Sequence, residues 1–555
     1  MNEEVKVTDH QGERDVRIAK VQKIKAMGII PYAQSFDKKN IIGDIIKNYE
    51  NTTHRDINDI IPNPEMQVQT AGRVMLYRTH GKLAFAKLLD STEEIQLMFH
   101  RENCKTLTNE GMTNVIKDGS EEGMSAYKFM EKLVDVGDFI GVRGEIFKTH
   151  KGELTIFVSE FVFLSKAIRP LPEKFHGLQD QEELYRKRYL DMTMNPATYK
   201  RFLLKSKFYH TLREFYTKEG FIEIQTNILG NSASGAAAKP FETHHNDYDT
   251  DVFLRISFET ALKKATVGRF EKVFELGQDF RNEGSDPSHV QEFTQIEHYA
   301  VYWNYEDNMK FTEKMFDYLF EKLELPKHLN VKDKTGTIKE VDFTTPRKRI
   351  DFTEGIKDAS GIDITKYIMD DADKLRAEIK GKNIEFEGSH KMSTTTLIDH
   401  LYKKVLRPKI TGPAFIYNYP VIMQPLARIS DENNNIVEQF QLLVNGREMC
   451  KAYSELVDPI LQQENFEKQA EAAAKGDDEA TAGDDEFVTA MEYGMPPQSG
   501  FGIGLERLFA ILTEQDNLRD VVMFPLMKPE EKKGSEVESR KAGEEEKIED
   551  EKEKK

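Results

Sequence analysis

The feature that most constrains this chain is a pair of segments far apart in sequence. One is Phe280-Arg281-Asn282-Glu283-Gly284 running on to Glu292-Phe293; the other is Gly500-Phe501-Gly502-Ile503-Gly504-Leu505-Glu506-Arg507. Residues 272–280 (KVFELGQDF) are strand formers, a polar loop with Gly284 and Pro287 follows, and residues 293–302 (FTQIEHYAVY) resume a strand pattern. That order predicts a hairpin with a long loop. It places a cation, Arg281, and an acceptor, Glu283, at the end of one strand and a ring, Phe293, at the start of the next. A phosphate, an adenine amino group and a stacked base need those three partners. The glycines at 500, 502 and 504 are expected to let a helix pack closely on the sheet, with Arg507 projecting a second cation toward the same phosphates. Together the two segments read as a nucleotide site.

At 555 residues the chain is too long for one core, so two or more domains are expected. No apolar run approaches membrane-spanning length, and the polar start MNEEVKVTDHQGERD is neither a signal nor a transit peptide, so a cytoplasmic location without a membrane partner is expected. Cys104 and Cys450 cannot build a disulfide framework and read as ordinary thiols of a reducing compartment. A net charge of −18 disfavours indiscriminate nucleic-acid binding. The acids concentrate in residues 476–486 and in the C-terminal tail, however, which leaves room for a local basic track.

Residues 14–27 carry Ile18, Val21, Ile24 and Met27 at helical spacing among Arg17, Lys20, Lys23 and Lys25. This basic amphipathic helix either lies on the next domain or contacts RNA directly, and residues 1–66 form it and a lead-in. Residues 67–168 show five short alternating strands with glycine punctuation, the pattern of a small OB-type Greek-key barrel. A Pro-bearing linker spans 169–190, an α+β domain spans 191–529, and residues 530–555, rich in Glu and Lys without core formers, are expected to be a disordered tail. Lys391-Met392-Ser393-Thr394 is read as a loop entering a helix at 395–406. His244-His245 lacks a carboxylate or cysteine at ligand spacing, so no metal is expected there.

Arg-x-Glu on a hairpin followed by Gly-x-Gly-x-Gly-x-x-Arg resembles motifs 2 and 3 of the class II aminoacyl-tRNA synthetases. From about residue 17 to 529 the chain is similar to the lysyl-tRNA synthetases in particular, through Gly72-Arg73, Gly81-Lys82-Leu83-Ala84-Phe85, Arg169-Pro170-Leu171-Pro172-Glu173-Lys174, Arg188-Tyr189-Leu190-Asp191, Ala238-Lys239-Pro240-Phe241, Ala452-Tyr453-Ser454-Glu455-Leu456 and Glu492-Tyr493-Gly494-Met495-Pro496-Pro497. The resemblance implies an antiparallel-sheet catalytic domain preceded by an OB-fold anticodon-binding domain, a homodimer, and ligation of lysine to tRNA(Lys) through lysyl-adenylate, with ATP and Mg2+.

It also implies residue roles. Arg281 would bridge the amino-acid carboxylate and the α-phosphate, Glu283 would accept from the adenine amino group, Phe293 would stack on the base, and His289 and Arg507 would reach the γ-phosphate. Arg281 and Arg507 carry the catalysis, since adenylate formation needs positioning and charge neutralisation rather than a protein nucleophile. Lysine would be held by Gly235, Glu259, Arg281, Glu297, Tyr299, Tyr453 and Glu455. Buried acids without a cation are costly, so this set makes sense when a cation is the ligand. Phe85, Gln96 and Glu153 would read the anticodon, with a barrel-core role for Phe85 as the other reading.

The chain departs from the family at several of these places. Of the two metal-binding carboxylates, one is Glu448, while the other stands as Gln441, a carbonyl ligand without charge. Lys451 occupies the place of a pocket asparagine, where an inward ammonium would oppose substrate lysine by roughly 1 to 4 kcal/mol at about 4 Å; an outward pose toward an acidic neighbour is expected. Asn227 replaces the closing proline of motif 1, Phe258 a proline, and Arg269 the second of paired glycines. Two other readings stay open: an aspartate- or asparagine-type relative, and a catalytically weakened paralogue serving as an RNA-binding or scaffold protein.

Overall fold

The computed structural model describes residues 4–52, 66–172, 180–232, 234–236, 238–333, 336–344, 346–367, 371–424, 427–474 and 483–530. The lead-in residues 53–65, linker residues 173–179, most of the acidic stretch (475–482) and tail residues 531–555 lie outside them. The fold divides into two compact units, Met1–Gly177 and Leu178–Lys555.

The first unit opens with helix α1 (Glu4–Ala26). Its apolar positions Val21 and Ile24 are buried, and Arg17 donates to the carbonyls of Val136 and Ala167, each at 3.1 Å, while Lys20 pairs with Asp135 at 2.6 Å. Two of the four basic side chains thus tie the helix to its own unit, and only Lys23 and Lys25 remain exposed. The barrel consists of β1 (Gln67–His80), β2 (Leu83–Leu89), β3 (Glu94–His100), β4 (Phe139–Lys148) and β5 (Leu154–Ser165). Antiparallel pairs β3-β2-β1-β4-β5 are closed by a parallel pairing of β3 with β5, giving the five-stranded OB barrel expected from the sequence. The two-residue period of β2 turns Ala84, Ala86 and Leu88 inward, leaving Phe85 and Lys87 outside. Helix α2 (Ala126–Leu133), capped by Ser125 on the Lys128 N–H, buries Phe129, Met130 and Leu133 in the barrel core.

The second unit is built on an eight-stranded sheet. Its strands are β6 (Ile222–Glu223), β7 (Lys272–Phe280), β8 (Glu292–Val301), β9 (Lys348–Asp351), β10 (Ala414–Pro420), β11 (Ile436–Val444), β12 (Arg447–Ser454) and β13 (Gln498–Gly504), in the order β6-β7-β8-β13-β12-β11-β10-β9. Only the outermost pairs, β6 with β7 and β9 with β10, are parallel. One face packs on α3 (Pro196–Lys218), α5 (Tyr305–Lys322) and α6 (Leu505–Leu512), where Phe208, Leu212, Phe311, Phe316 and Phe509 meet Phe274, Ile296, Phe440, Leu442, Phe501 and Ile503. Helix α4 (Glu259–Val267) lies on the opposite face beside Tyr299 and Val273. Sheet alternation then decides the chemistry: with Ile296 and Phe501 committed to the core, Glu297, Tyr299, Gly500 and Gly502 must face the other way. The helix after Lys391-Met392-Ser393 spans Thr394–Val405, with Ser393 as its N-cap.

Candidate active site

The hairpin is formed as its sequence predicts, β7 pairing with β8 so that Phe280 faces Glu292 and Asp279 faces Phe293. Arg281 follows directly. Its guanidinium donates to the Ile256 carbonyl at 3.3 Å and lies 5.2 Å over the Phe293 ring, a cation on an aromatic face. Arg281, Glu283, His289, Phe293 and Arg507 line one cleft of ≈ 150 Å³, together with Gln295 and Gly504. Glu283 and His289 are exposed at its mouth, and His289 contacts Asp286 at 2.8 Å. Burial alone would raise the Asp286 carboxyl, but hydrogen bonds from His289 and Ser288 hold it at about 2. Arg507 donates to the Glu448 carbonyl at 2.9 Å, and burial lowers its pKa from the ordinary value.

Next to the cleft, joined to it through Gln295, gathers a pocket-forming cluster of acids. Glu297 is buried on β8; Ser257 donates to it at 3.2 Å and Gln295 also holds it. Burial, with Asp279 and Glu259 adding, pushes its carboxyl well above the ordinary range. Glu455, just past β12, is buried, and so is Tyr299; Tyr453 faces Gly500 across the strands. A Cβ at Gly500 would overlap the Glu455 carboxylate and the Tyr299 ring, and one at Gly502 would lie 3.2 Å from the Gln295 amide and 3.4 Å from Glu297. These two glycines therefore keep the pocket open, a correction to the expectation that they admit a helix against the sheet. Gly235 has φ +88°, and a Cβ there would lie 2.9 Å from that of Glu259, so its backbone comes against the same pocket.

A residue not anticipated from sequence completes this group. Lys263, 6% exposed, pairs with Glu259 at 2.7 Å and with Glu455 at 2.5 Å. Burial would lower its pKa, but the two carboxylates outweigh that and raise it. From sequence, Glu259 and Lys263 look like an ordinary i,i+4 pair on a helix surface, and nothing in the local pattern marks the lysine as buried.

Lys451 is exposed, but its register opposite Gly502 puts it on the same face of the sheet as Glu297, and among the described residues it makes no ion pair, so the outward pose toward an acidic neighbour expected for it is not found. Glu448 is paired with Arg407 at 3.2 Å, and the Gln441 carbonyl accepts from the Tyr419 hydroxyl at 3.0 Å. Among the described residues no group of three or more His, Cys, Asp or Glu could hold a metal ion. His244, read as lacking a carboxylate at ligand spacing, contacts Asp251 at 2.9 Å and Asp249 at 3.4 Å, because strands Glu242–His245 and Thr250–Leu254 pair antiparallel. Arg269 takes φ +83°, a left-handed conformation costing about 1–2 kcal/mol without glycine.

On the barrel, Phe85 is half-buried on the outer face, outside the core cluster. Its neighbours there are Lys87, which faces Gln96 across the strands, and Glu153, which pairs with Lys87; Gln96 donates to Thr155 at 2.9 Å.

Sequence comparison decides what this geometry belongs to. The family described as tRNA synthetases class II (D, K and N) matches residues 180–528, and the OB-fold nucleic acid binding domain matches residues 68–164. The chain belongs to the class II tRNA synthetases. It is similar to the Lysine--tRNA ligase of Carboxydothermus hydrogenoformans, 40% identical over 93% of this chain and 97% of that one, and to that of Fervidobacterium nodosum, 40% identical over 93% and 94%. The Lysine--tRNA ligase of Thermotoga maritima is 38% identical over 95% and 98%. Among the described residues of this synthetase no helix is long and apolar enough to cross a membrane.

Proposed function

We propose that this chain is a lysine-tRNA ligase that joins lysine to ATP as lysyl-adenylate, releases pyrophosphate, and transfers the lysyl group to the 3′ end of tRNA(Lys). The observation that carries the reading is the acid pocket beside the arginine-lined cleft. Lys263 pairs with Glu259 and Glu455 but not with Glu297, and an ammonium-bearing substrate satisfies what remains. Lysine enters with its side-chain ammonium toward Glu297 and Glu455, between Tyr299 and Tyr453, its α-amino group at Glu259 near Gly235, and its carboxylate at Arg281. ATP lies on Phe293 with its adenine amino group at Glu283 and its outer phosphates at His289 and Arg507. Arg281 then sits between both reacting anions and stabilises the charge that develops as the carboxylate attacks the α-phosphorus. Mg2+ accompanies ATP as the counter-ion of its phosphates, but the engaged side chains of Glu448 and Gln441 fit a further ion poorly.

Phe85, Gln96 and Glu153 share the outer face of the barrel, which suits them to unstacked anticodon bases. Exposed Ile222, Ile228 and Leu229 beside Asn227 support a homodimer. The buried unpaired thiols Cys104 and Cys450 accord with a cytoplasmic location. An aspartate substrate is disfavoured because its side-chain carboxylate would meet those of Glu297 and Glu455, and asparagine because its neutral amide brings them no counter-charge. A scaffold role is disfavoured because all five cleft residues remain together. Charging of a tRNA(Lys) transcript by the purified protein tests the reading: lysine incorporation supports it, and a protein that binds the transcript yet charges it with no amino acid supports the scaffold role instead.

A further inference from the structure

Lys451 is a cation on the pocket face of the sheet that the proposed chemistry leaves without a role. It lies in a row across four strands: Glu297 faces Gly502, Gly502 faces Lys451, and Lys451 faces Gln441. Directly opposed residues of antiparallel strands share a face with Cβ atoms about 5 Å apart, so all of them lie on the side of the acid pocket. On one side its neighbour has no side chain, and on the other it is a neutral amide. Glu297 is held by Ser257 and Gln295 and forms no ion pair with it. The ammonium is exposed and, among the described residues, has no ion-pair partner, so it is free to meet an anionic ligand, and the anions this site admits are phosphates and a carboxylate.

The residues next to it point the same way. After a bulge between Leu442 and Leu443, Glu448 faces Leu443 and so joins Gln441 and Lys451 on this side of the sheet. A divalent ion there would need several oxygen ligands, carboxylates among them. It would find one carboxylate engaged by Arg407, one amide carbonyl engaged by Tyr419, and an ammonium in the adjoining row position. We infer that Lys451 supplies to the phosphates of ATP the positive charge that a divalent ion between Glu448 and Gln441 would otherwise supply, so the site needs one fewer bound metal than the same site with an acid at 441 and a neutral residue at 451. The inference rests on the lysine and ATP reading above.

The test compares the wild type with Lys451→Asn, Gln441→Glu and the double variant. Lysine-dependent ATP–pyrophosphate exchange is followed at saturating MgATP while free Mg2+ is raised, and Mn2+ bound per protomer is counted by paramagnetic resonance with a non-hydrolysable ATP analogue. The wild type should stay within two-fold as free Mg2+ rises. Lys451→Asn should lose at least ten-fold in kcat. The double variant should regain part of that loss, depend on free Mg2+, and bind one more Mn2+ than the wild type. Unchanged kcat in Lys451→Asn, equal Mn2+ counts in wild type and double variant, or a lower lysine KM at constant kcat would overturn the assignment, the last by showing that the ammonium opposes the substrate. If the wild type activates a different amino acid, the lysine reading fails and the same titration with that amino acid still decides the role of Lys451. If it activates none, the Mn2+ count decides alone.

Discussion

Lys263 Nζ lies 2.5 Å from Glu455 Oε2 and places an internal cation at the floor of an acidic pocket. It pairs with Glu259 and Glu455 and leaves Glu297, held by Ser257 and Gln295, as the acid of this group that an incoming ammonium can meet. Without Lys263 the pocket would be overcharged in the free protein; with it, the acids stay in place until substrate arrives.

Lys263→Met should therefore destabilise the protein by about 3 kcal/mol, the cost of leaving buried carboxylates without their partner. Lysine should recover part of that loss, so the rise in thermal midpoint on adding lysine should be larger in the variant than in the wild type. Equal ligand-induced shifts in the two proteins would remove Lys263 from the pocket's charge balance.

The outer-face position of Phe85 makes its loss a tRNA defect rather than a folding one. Phe85→Ala and Gln96→Ala should each weaken charging by about 1–3 kcal/mol in kcat/KM for tRNA while leaving ATP–pyrophosphate exchange nearly intact. A parallel fall in exchange, with the fold preserved by circular dichroism, would contradict a base-contacting role.

Asp279 is fully buried opposite Phe293; among the described residues its carboxylate oxygens receive no hydrogen bond, and Arg255 Nε stands 3.6 Å from one of them. Burial pushes its pKa up to about 7, with Arg255 and Arg281 opposing and Glu275 adding. Because the folded value lies above the unfolded one, of about 4, its contribution to stability is fully present below that pH and is lost as pH rises toward 7. Between pH 5 and 7.5 the urea midpoint of the wild type should fall further than that of Asp279→Asn. Parallel falls would mean that Asp279 is ionised throughout.

The hairpin, the five barrel strands and Arg281, Glu283, Phe293 and Arg507 were legible because local patterns encode them, period-two strands, a polar loop and motifs of fixed spacing, while His289 came only with the family resemblance. The role of Gly500 was not, since its need for empty space comes from Glu455 and Tyr299 on other strands. The burial of Lys263 depends on α4 lying against the sheet, and the direction of Lys451 on a register set across four strands. Of the two readings of the basic helix α1, the one that lays it on the domain that follows is found, and sequence could not choose it because the carbonyls that receive Arg17 are more than a hundred residues away.

The most direct measurement is ATP–pyrophosphate exchange with the purified protein over the full panel of amino acids, with Arg281→Ala as the control. The account predicts exchange with lysine above all others, and a loss of about two orders of magnitude or more in the variant, because the cation shared by both reacting anions is gone. Exchange driven by aspartate or asparagine, or lysine-dependent exchange that survives in Arg281→Ala within a factor of a few, would contradict it.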